Sequence, residues 1–194
     1  YNLNATLEAQ LASISDDIAY NSHDLEDGLK ANLYTVEDLK NIPILSQIIN
    51  KHKKFIKKKG TDLVIRQIIR DIINEMVNDI IVNTKKIIKT KKIKTLKDIY
   101  NHKDLIVTFS KEMNLFDLSI KSFLKEKMYL SKNVLKKTEM GKKIIKFLFT
   151  KIKKNPSKFL KKSIFKKNNF ERNICDFVAG MTDRYAINLY KALK

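Results

Sequence analysis

Residues that interrupt helices are scarce in this sequence. Its 194 residues include 4 Gly and 2 Pro, and it contains no Trp. β-Sandwiches and β-barrels need many tight turns, which are rich in glycine and proline, so an all-β fold is disfavoured. Long runs of Ile, Leu, Lys and Glu with few breakers instead predict an all-α protein.

Cysteine and long apolar runs are scarce as well. The single cysteine, Cys175, cannot form an internal disulfide, so the fold does not depend on an oxidising compartment and a cytoplasmic location is expected. No uncharged apolar run approaches the roughly 18 residues that a membrane span requires, and the start of the chain lacks a signal-peptide pattern. We therefore expect no membrane partner.

The chain has enough apolar material for a core. Apolar residues make up 43% of it, with 10 Phe and 7 Tyr, which excludes a disordered tail. The sequence opens at Tyr1 and not at a methionine, which suggests that it begins inside a longer protein.

The net charge of +19 is unevenly distributed. Residues 1–50 carry 8 acidic and 2 basic residues, whereas residues 51–194 carry 13 acidic and 38 basic ones. We expect an acidic first region, 1–50, and a basic helical region, 51–194. Lysine clusters at 51–59, 85–97, 142–154 and 158–167 could contact the phosphates of a nucleic acid. Solvated helix faces and codon bias in an AT-rich genome explain them more simply, since 36 of the 40 basic residues are Lys.

Apolar periodicity places the first helix at about Thr6 to Leu33 and the strongest core helix at about Asp62 to Lys89. Thr35 with Asp38 indicates a capping box that opens a short helix, and Pro43 interrupts the pattern. Further helices are expected near 104–113, 117–129, 141–153 and 171–193, with Gly180 inside the last one against a neighbouring helix.

The first helix has an acidic face. At helical spacing, Asp16, Tyr20 and Asp24 lie opposite the leucine and isoleucine stripe. No Lys or Arg precedes Lys30, although the average frequency of basic residues predicts about 6, so we expect something to pack over this face. Arg66 lies beside the apolar stripe of the long core helix. We expect its side chain to turn toward the acidic face of the first helix, because the guanidinium fork matches carboxylate or phosphate. The alternative is that the side chain extends past the core into water.

Five stretches resemble motifs of one known family. The first reads LEAQ at 7–10 and DDIAYNSHDLEDGL at 16–29, and the last reads DFVAGMTDRYA at 176–186. Between them, in the family's order, come 66–84, 123–129 and 144–156. The whole chain, 1–194, resembles the C-terminal portion of the dGTPase-like deoxynucleotide triphosphohydrolases of the HD superfamily. The resemblance implies the C-terminal part of an HD-superfamily helical domain, with 1–50 as the remnant of its metal-site core.

The resemblance also implies roles for individual residues. Asp16 matches the last Asp of the family's metal site, Tyr20 the tyrosine that packs on the deoxyribose, and Asp24 the carboxylate near the sugar 3′-hydroxyl. The implied cofactor is a divalent metal ion, Mg²⁺ or Mn²⁺, and Arg66 is a further candidate for substrate binding. The intact enzyme would cleave a deoxynucleoside triphosphate into the deoxynucleoside and inorganic triphosphate.

One departure from the family pattern stands out. The family's first metal-binding His and its His-Asp pair precede this helix, and the adjacent His23 and Asp24 cannot replace them because they follow the metal Asp. We therefore expect no catalytic residue in this chain and little activity from it alone. The expected partners are a deoxynucleoside triphosphate, a complementing segment with the HD motifs, and further copies of the chain. The alternative is a catalytically inactive basic helical module that binds nucleic acid.

Overall fold

The computed structural model of the chain describes residues 3–56, 61–160 and 169–194, and all regular structure in these ranges is helical. This confirms the all-α prediction. The helices are α1 (Leu7–Lys30), α2 (Pro43–Ile56), α3 (Thr61–Thr90), α4 (Leu96–Tyr100), α5 (Lys111–Leu124), α6 (Lys132–Lys154), α7 (Phe170–Ala179) and α8 (Asp183–Leu193). Short 3₁₀ turns cover Asp38–Asn41 and Pro156–Lys158, and a π-helical turn covers Lys125–Tyr129.

The chain forms two compact units, residues 1–131 and residues 132–194. In the first unit, α1 packs against α3 and α5, and α2 packs against α3. The side chains between them are fully buried, and each contributes about 1.5–3 kcal/mol through removal of apolar surface from water. They include Leu25, Leu45, Ile68, Ile72, Met76 and Ile120.

The second unit is built on α6, against which α7 and α8 both pack. Its buried core consists of Ile144, Leu148, Ile152, Leu160 and Ile174. Across the described parts of both units, no helix has the length and apolar character that a membrane crossing requires.

The two long helices of the first unit match their predictions closely. The Thr6 hydroxyl caps α1 by accepting from the Ala9 N–H at 3.2 Å. The helix ends at Lys30, three residues earlier than predicted, because Asn32 adopts a left-handed φ of 54° that terminates it. The predicted core helix is present as α3, and Pro43, predicted as an interruption, begins α2.

The helix predicted at 104–113 is wrong. Residues 101–110 form no helix, because several of their backbone N–H groups donate to side chains of other segments. The Gln10 Oε1 accepts from the N–H groups of Ile106 and Val107 at 2.8 and 3.0 Å, and Asp79 Oδ2 accepts from the Ser110 N–H at 2.8 Å. Regular helix resumes only at Lys111, where Ser110 is the N-cap.

The single terminal helix predicted at 171–193 is also wrong, since it is divided into α7 and α8. Gly180 is the C-cap of α7 and is exposed, and Thr182 is the N-cap of α8 through its hydroxyl, which accepts from the Tyr185 N–H at 3.3 Å. An added Cβ at Gly180 would meet only the backbone of its own helix, at 3.4 Å from the Asp176 carbonyl oxygen. Within the part of the chain that the structure describes, the expected contact of Gly180 with a neighbouring helix is therefore absent.

The basic clusters predicted at 51–59 and 158–167 lie partly outside the described residues. The boundary between acidic and basic sequence near residue 50 falls inside α2, within the first unit. The helix predicted from 141 begins earlier, at Lys132.

Candidate functional site

The predicted acidic face lies along α1. Asp16 and Tyr20 are exposed, and Tyr20 leaves 61% of its surface open. Asp24, one turn further, is half-buried. The spacing of four keeps the three side chains on one side of the helix, while Ile18, Leu25 and Leu29 bury the other side. At Asp16 and Tyr20 the face is open in the described part of the chain, whereas we expected something to pack over it.

Two tyrosines hold Asp24. The Tyr129 hydroxyl, at the end of the π-helical turn, donates to Asp24 Oδ2. The Tyr34 hydroxyl lies near the main-chain carbonyl oxygens of Asp24 and Leu25, at 3.2 and 3.1 Å. Burial raises the pKa of the Tyr34 hydroxyl, and the negative charges of Asp24 and Asp27 raise it further. Both the side chain and the backbone of Asp24 are thereby fixed.

A buried polar network joins α1 to α5, about one turn of α1 before Asp24. The Asn21 amide donates to Asp117 Oδ1 at 3.0 Å, and Asp117 leaves only 4% of its surface exposed. Lys121 Nζ lies 2.8 Å from Asp117 Oδ2 and 3.4 Å from Asp17 Oδ2. Burial lowers the pKa of Lys121, but its hydrogen bond to Asp117 and the charges of Asp117 and Asp17 outweigh this and raise it. The protonated lysine therefore compensates the buried carboxylate.

Arg66 lies on α3 beside the buried Ile65 and is itself exposed. None of the ion pairs between described residues joins Arg66 to Asp16, Asp24 or Asp27. Among the described residues, Arg66 therefore forms no ion pair with the acidic face.

The described residues do not form a complete metal site. In the described ranges, no three His, Cys, Asp or Glu side chains stand close enough together to hold a metal ion. His52 is paired with Asp71 at 2.7 Å between α2 and α3, and the His102 ring lies against the backbone of Asp104 at 2.8 Å. Asp16 is thus a single candidate ligand, and one carboxylate makes a weak site.

Sequence reasoning missed the partners of the acidic face. Tyr129 and Lys121 lie more than 100 residues from Asp24 and Asp17, so helical periodicity gave no indication that they meet. A weak signal was available, because Asp117 and Lys121 have the i,i+4 spacing of a helical ion pair. Tyr129 also closes one of the stretches that resemble the family.

The sequence of the chain was compared with those of known proteins. Residues 107–192 match a family described as the phosphohydrolase-associated domain. Over 193 residues, the chain is 49% identical to a deoxyguanosinetriphosphate triphosphohydrolase-like protein of Pelagibacter ubique, with 100% of this chain and 52% of that protein covered. A protein of the same name from Leptospira interrogans is 36% identical over 193 residues, and one from Bartonella tribocorum is 35% identical over 199 residues. These matches cover 97% of this chain and 51% and 48% of the two proteins.

The helical fold and the match over residues 107–192 place the chain among the all-α proteins that carry a phosphohydrolase-associated domain. Within this class, the chain belongs to the dGTPase-like proteins of the HD superfamily. It spans about half the length of the curated relatives that it matches.

Proposed function

We propose that this chain forms the sugar-binding side, and supplies one metal ligand, of a deoxynucleoside triphosphate triphosphohydrolase. The observation that carries the proposal is the arrangement of Asp16, Tyr20 and Asp24 on one face of α1, with the first two exposed and the third fixed by Tyr129. The names of the relatives, which specify triphosphate hydrolysis of deoxyguanosine triphosphate, support the same reaction class.

In the proposed site, each residue has a separate role. Asp24 accepts a hydrogen bond from the sugar 3′-hydroxyl, and the Tyr20 ring packs on the deoxyribose, where close contact excludes a 2′-hydroxyl. Asp16 is one ligand of a divalent cation, Mg²⁺ or Mn²⁺, whose other ligands come from a segment with the family's His and His-Asp motifs. Because Asp16 alone does not form the metal site, we expect negligible hydrolysis by the 194-residue chain.

A fusion protein tests the proposal. The part of the Pelagibacter ubique relative outside the match is joined ahead of residue 1, and release of inorganic triphosphate from dGTP is measured with Mn²⁺. We expect activity that EDTA removes and that Asp16→Ala abolishes, because the cation loses a direct ligand. Asp183→Ala, an exposed aspartate on α8, is the matched control and should leave the rate unchanged. Equal activity of the Asp16→Ala and Asp183→Ala fusions would contradict the metal role.

Arg66 enters the proposal as a ligand for the substrate phosphates. In the fusion, Arg66→Lys keeps the charge but removes the bidentate fork, so we expect the KM for dGTP to rise severalfold. The same change at Arg70, one turn further along α3 and also exposed, is the control. A cytoplasmic location, which the single cysteine favours, belongs to the proposal as well. Assembly into homo-oligomers is part of it on family resemblance alone.

A second candidate function rests on the charge of the second unit. Residues 132–194 contain 18 Lys and Arg against 4 Asp and Glu, a net charge of +14. Such a surface favours nucleic acid, and its binding would weaken steeply with ionic strength because bound counterions are released. Fluorescence anisotropy of a labelled oligonucleotide at about 50 and 200 mM salt separates this activity from dNTP hydrolysis, which depends on Asp16.

A further inference from the structure

Tyr129 occupies a position that the packing of α5 determines. Phe116, Ile120 and Leu124 of α5 are buried in the core of the first unit, and the π-helical turn continues directly from Leu124. Single π-helical turns are rare and frequently lie at functional sites, because they redirect the side chains that follow. Here the turn ends at Tyr129, whose hydroxyl reaches Asp24 across 105 residues of sequence.

The Tyr129 hydroxyl contacts only one of the two oxygens of the Asp24 carboxylate. A carboxylate has two oxygens, and each can accept hydrogen bonds. Tyr129 donates to Oδ2, while Tyr34 contacts the main-chain carbonyl of Asp24. The other oxygen, Oδ1, is therefore held in a fixed orientation and can accept from a ligand hydroxyl.

The Tyr129 hydroxyl remains a donor at neutral pH. Burial raises its pKa, the hydrogen bond to Asp24 and the charge of Asp24 raise it further, and the neighbouring Tyr20 side chain adds a smaller contribution. Tyr129 thus stands beside both residues that the proposed function assigns to the sugar, and it is half-buried while Tyr20 is exposed.

We propose that Tyr129 is a positioning residue of the sugar site, which orients the Asp24 carboxylate toward the 3′-hydroxyl of the deoxyribose. This inference rests on the proposed function. A tyrosine that merely attached α5 to α1 would stabilise the fold without regard to the ligand, whereas a positioning residue is coupled to one hydroxyl of the sugar.

The test is a thermodynamic cycle in which one change is made in the protein and the other in the ligand. It uses the full chain in the fusion described above. Dissociation constants are measured by calorimetry for deoxyguanosine and for 2′,3′-dideoxyguanosine, which lacks the 3′-hydroxyl. For the wild-type fusion we expect deoxyguanosine to bind about tenfold more tightly, equivalent to about 1.4 kcal/mol. Tyr129→Phe should bring this ratio of dissociation constants close to one, and Asp24→Asn should do the same. Combining the two substitutions in one protein should not change the ratio further.

Each other outcome is decisive. If Tyr129→Phe weakens both ligands equally and the ratio stays near ten, Tyr129 is structural and the inference is overturned while the proposed function stands. If the wild-type fusion shows no preference for the 3′-hydroxyl, the sugar role of Asp24 fails and the inference fails with it. Tyr185→Phe, on an exposed tyrosine of α8, is the control, and circular dichroism melting verifies the fold of every variant.

Discussion

Gly28 shows how tightly single residues are placed around the acidic face. A Cβ added there would lie 2.2 Å from the Tyr34 hydroxyl oxygen and 2.4 Å from the ring carbon that carries it. Because Tyr34 is buried and its hydroxyl lies against the end of α1, its ring has little freedom to move away. We predict that Gly28→Ala lowers the free energy of unfolding by about 1–3 kcal/mol through overpacking, as urea titration would measure.

Gly141 provides the matched control within a helix. It lies in the middle of α6, and beyond the neighbouring backbone of that helix a Cβ added there meets no atom of the described residues within 4 Å. Gly141→Ala should therefore stabilise the protein by about 0.5–1 kcal/mol, because alanine loses less backbone entropy in a helix. If Gly28→Ala stabilised the protein, as Gly141→Ala is expected to do, the packing of Tyr34 over Gly28 would be wrong.

The two tyrosines with raised pKa values make stability depend on alkaline pH. An unfolded tyrosine titrates near pH 10. Tyr34 and Tyr129 titrate higher in the folded protein, so their contribution is complete below about pH 10 and is lost as the pH rises above it. We predict that the melting temperature falls as the pH rises from about 10 to about 12, and that Tyr34→Phe makes this fall shallower. An identical pH profile for the variant would contradict the raised pKa of Tyr34.

At the scale of elements, the segment 101–110 depends on side chains of other elements. Gln10 is buried and provides the acceptor for the N–H groups of Ile106 and Val107, while its own amide donates to the Ala5 carbonyl at 2.7 Å. Gln10→Met leaves two buried donors without a partner, at about 1–3 kcal/mol each. We predict a loss of at least about 2 kcal/mol in unfolding free energy and faster hydrogen exchange at both amides.

Gln47, an exposed glutamine on α2, provides the comparison for this prediction. Gln47→Met should change stability by less than about 0.5 kcal/mol. Unchanged exchange at Ile106 and Val107 in the Gln10 variant would show that these amides do not depend on Gln10.

The division between α7 and α8 predicts different effects on stability for substitutions at Thr182 and Gly180. Thr182→Ala removes the N-cap of α8 and should cost about 1 kcal/mol. Gly180→Ala should be nearly neutral, because the residue is exposed and its φ of −77° suits any amino acid. Thermal melts of both variants test this, and a larger loss for Gly180→Ala would restore the packed glycine that the sequence suggested.

Helical periodicity predicted α1 and α3 because each carries a long apolar stripe that the core covers. It failed at 104–113, since Gln10 and Asp79 lie far away in sequence and their hydrogen bonds replace those of a helix. It also joined α7 to α8, because the apolar pattern continues across the Thr182 cap. For the site, helical periodicity predicted the face of α1 but not the contribution of Tyr129, whose place depends on the packing of α5.

In the whole molecule, the net positive charge is divided unequally between the two compact units. The first unit combines the acidic face of α1 with a modest positive total, 22 basic against 17 acidic residues, while the second unit holds most of the net charge. A negatively charged triphosphate is therefore attracted to the protein as a whole, although the exposed face of α1 is itself acidic. Under the proposed function, cations from a metal ion or a basic side chain must neutralise this face before it can accept phosphate.

If the acidic face of α1 belongs to a triphosphohydrolase site, the first phosphorus product released from dGTP is inorganic triphosphate. Phosphorus NMR of dGTP incubated with the fusion protein and Mg²⁺ distinguishes the possible cleavages. We predict inorganic triphosphate together with deoxyguanosine, and no triphosphate when Asp16 is replaced by alanine. Formation of orthophosphate or pyrophosphate as the first product, or triphosphate release that persists in Asp16→Ala, would show that this face does not belong to such a site.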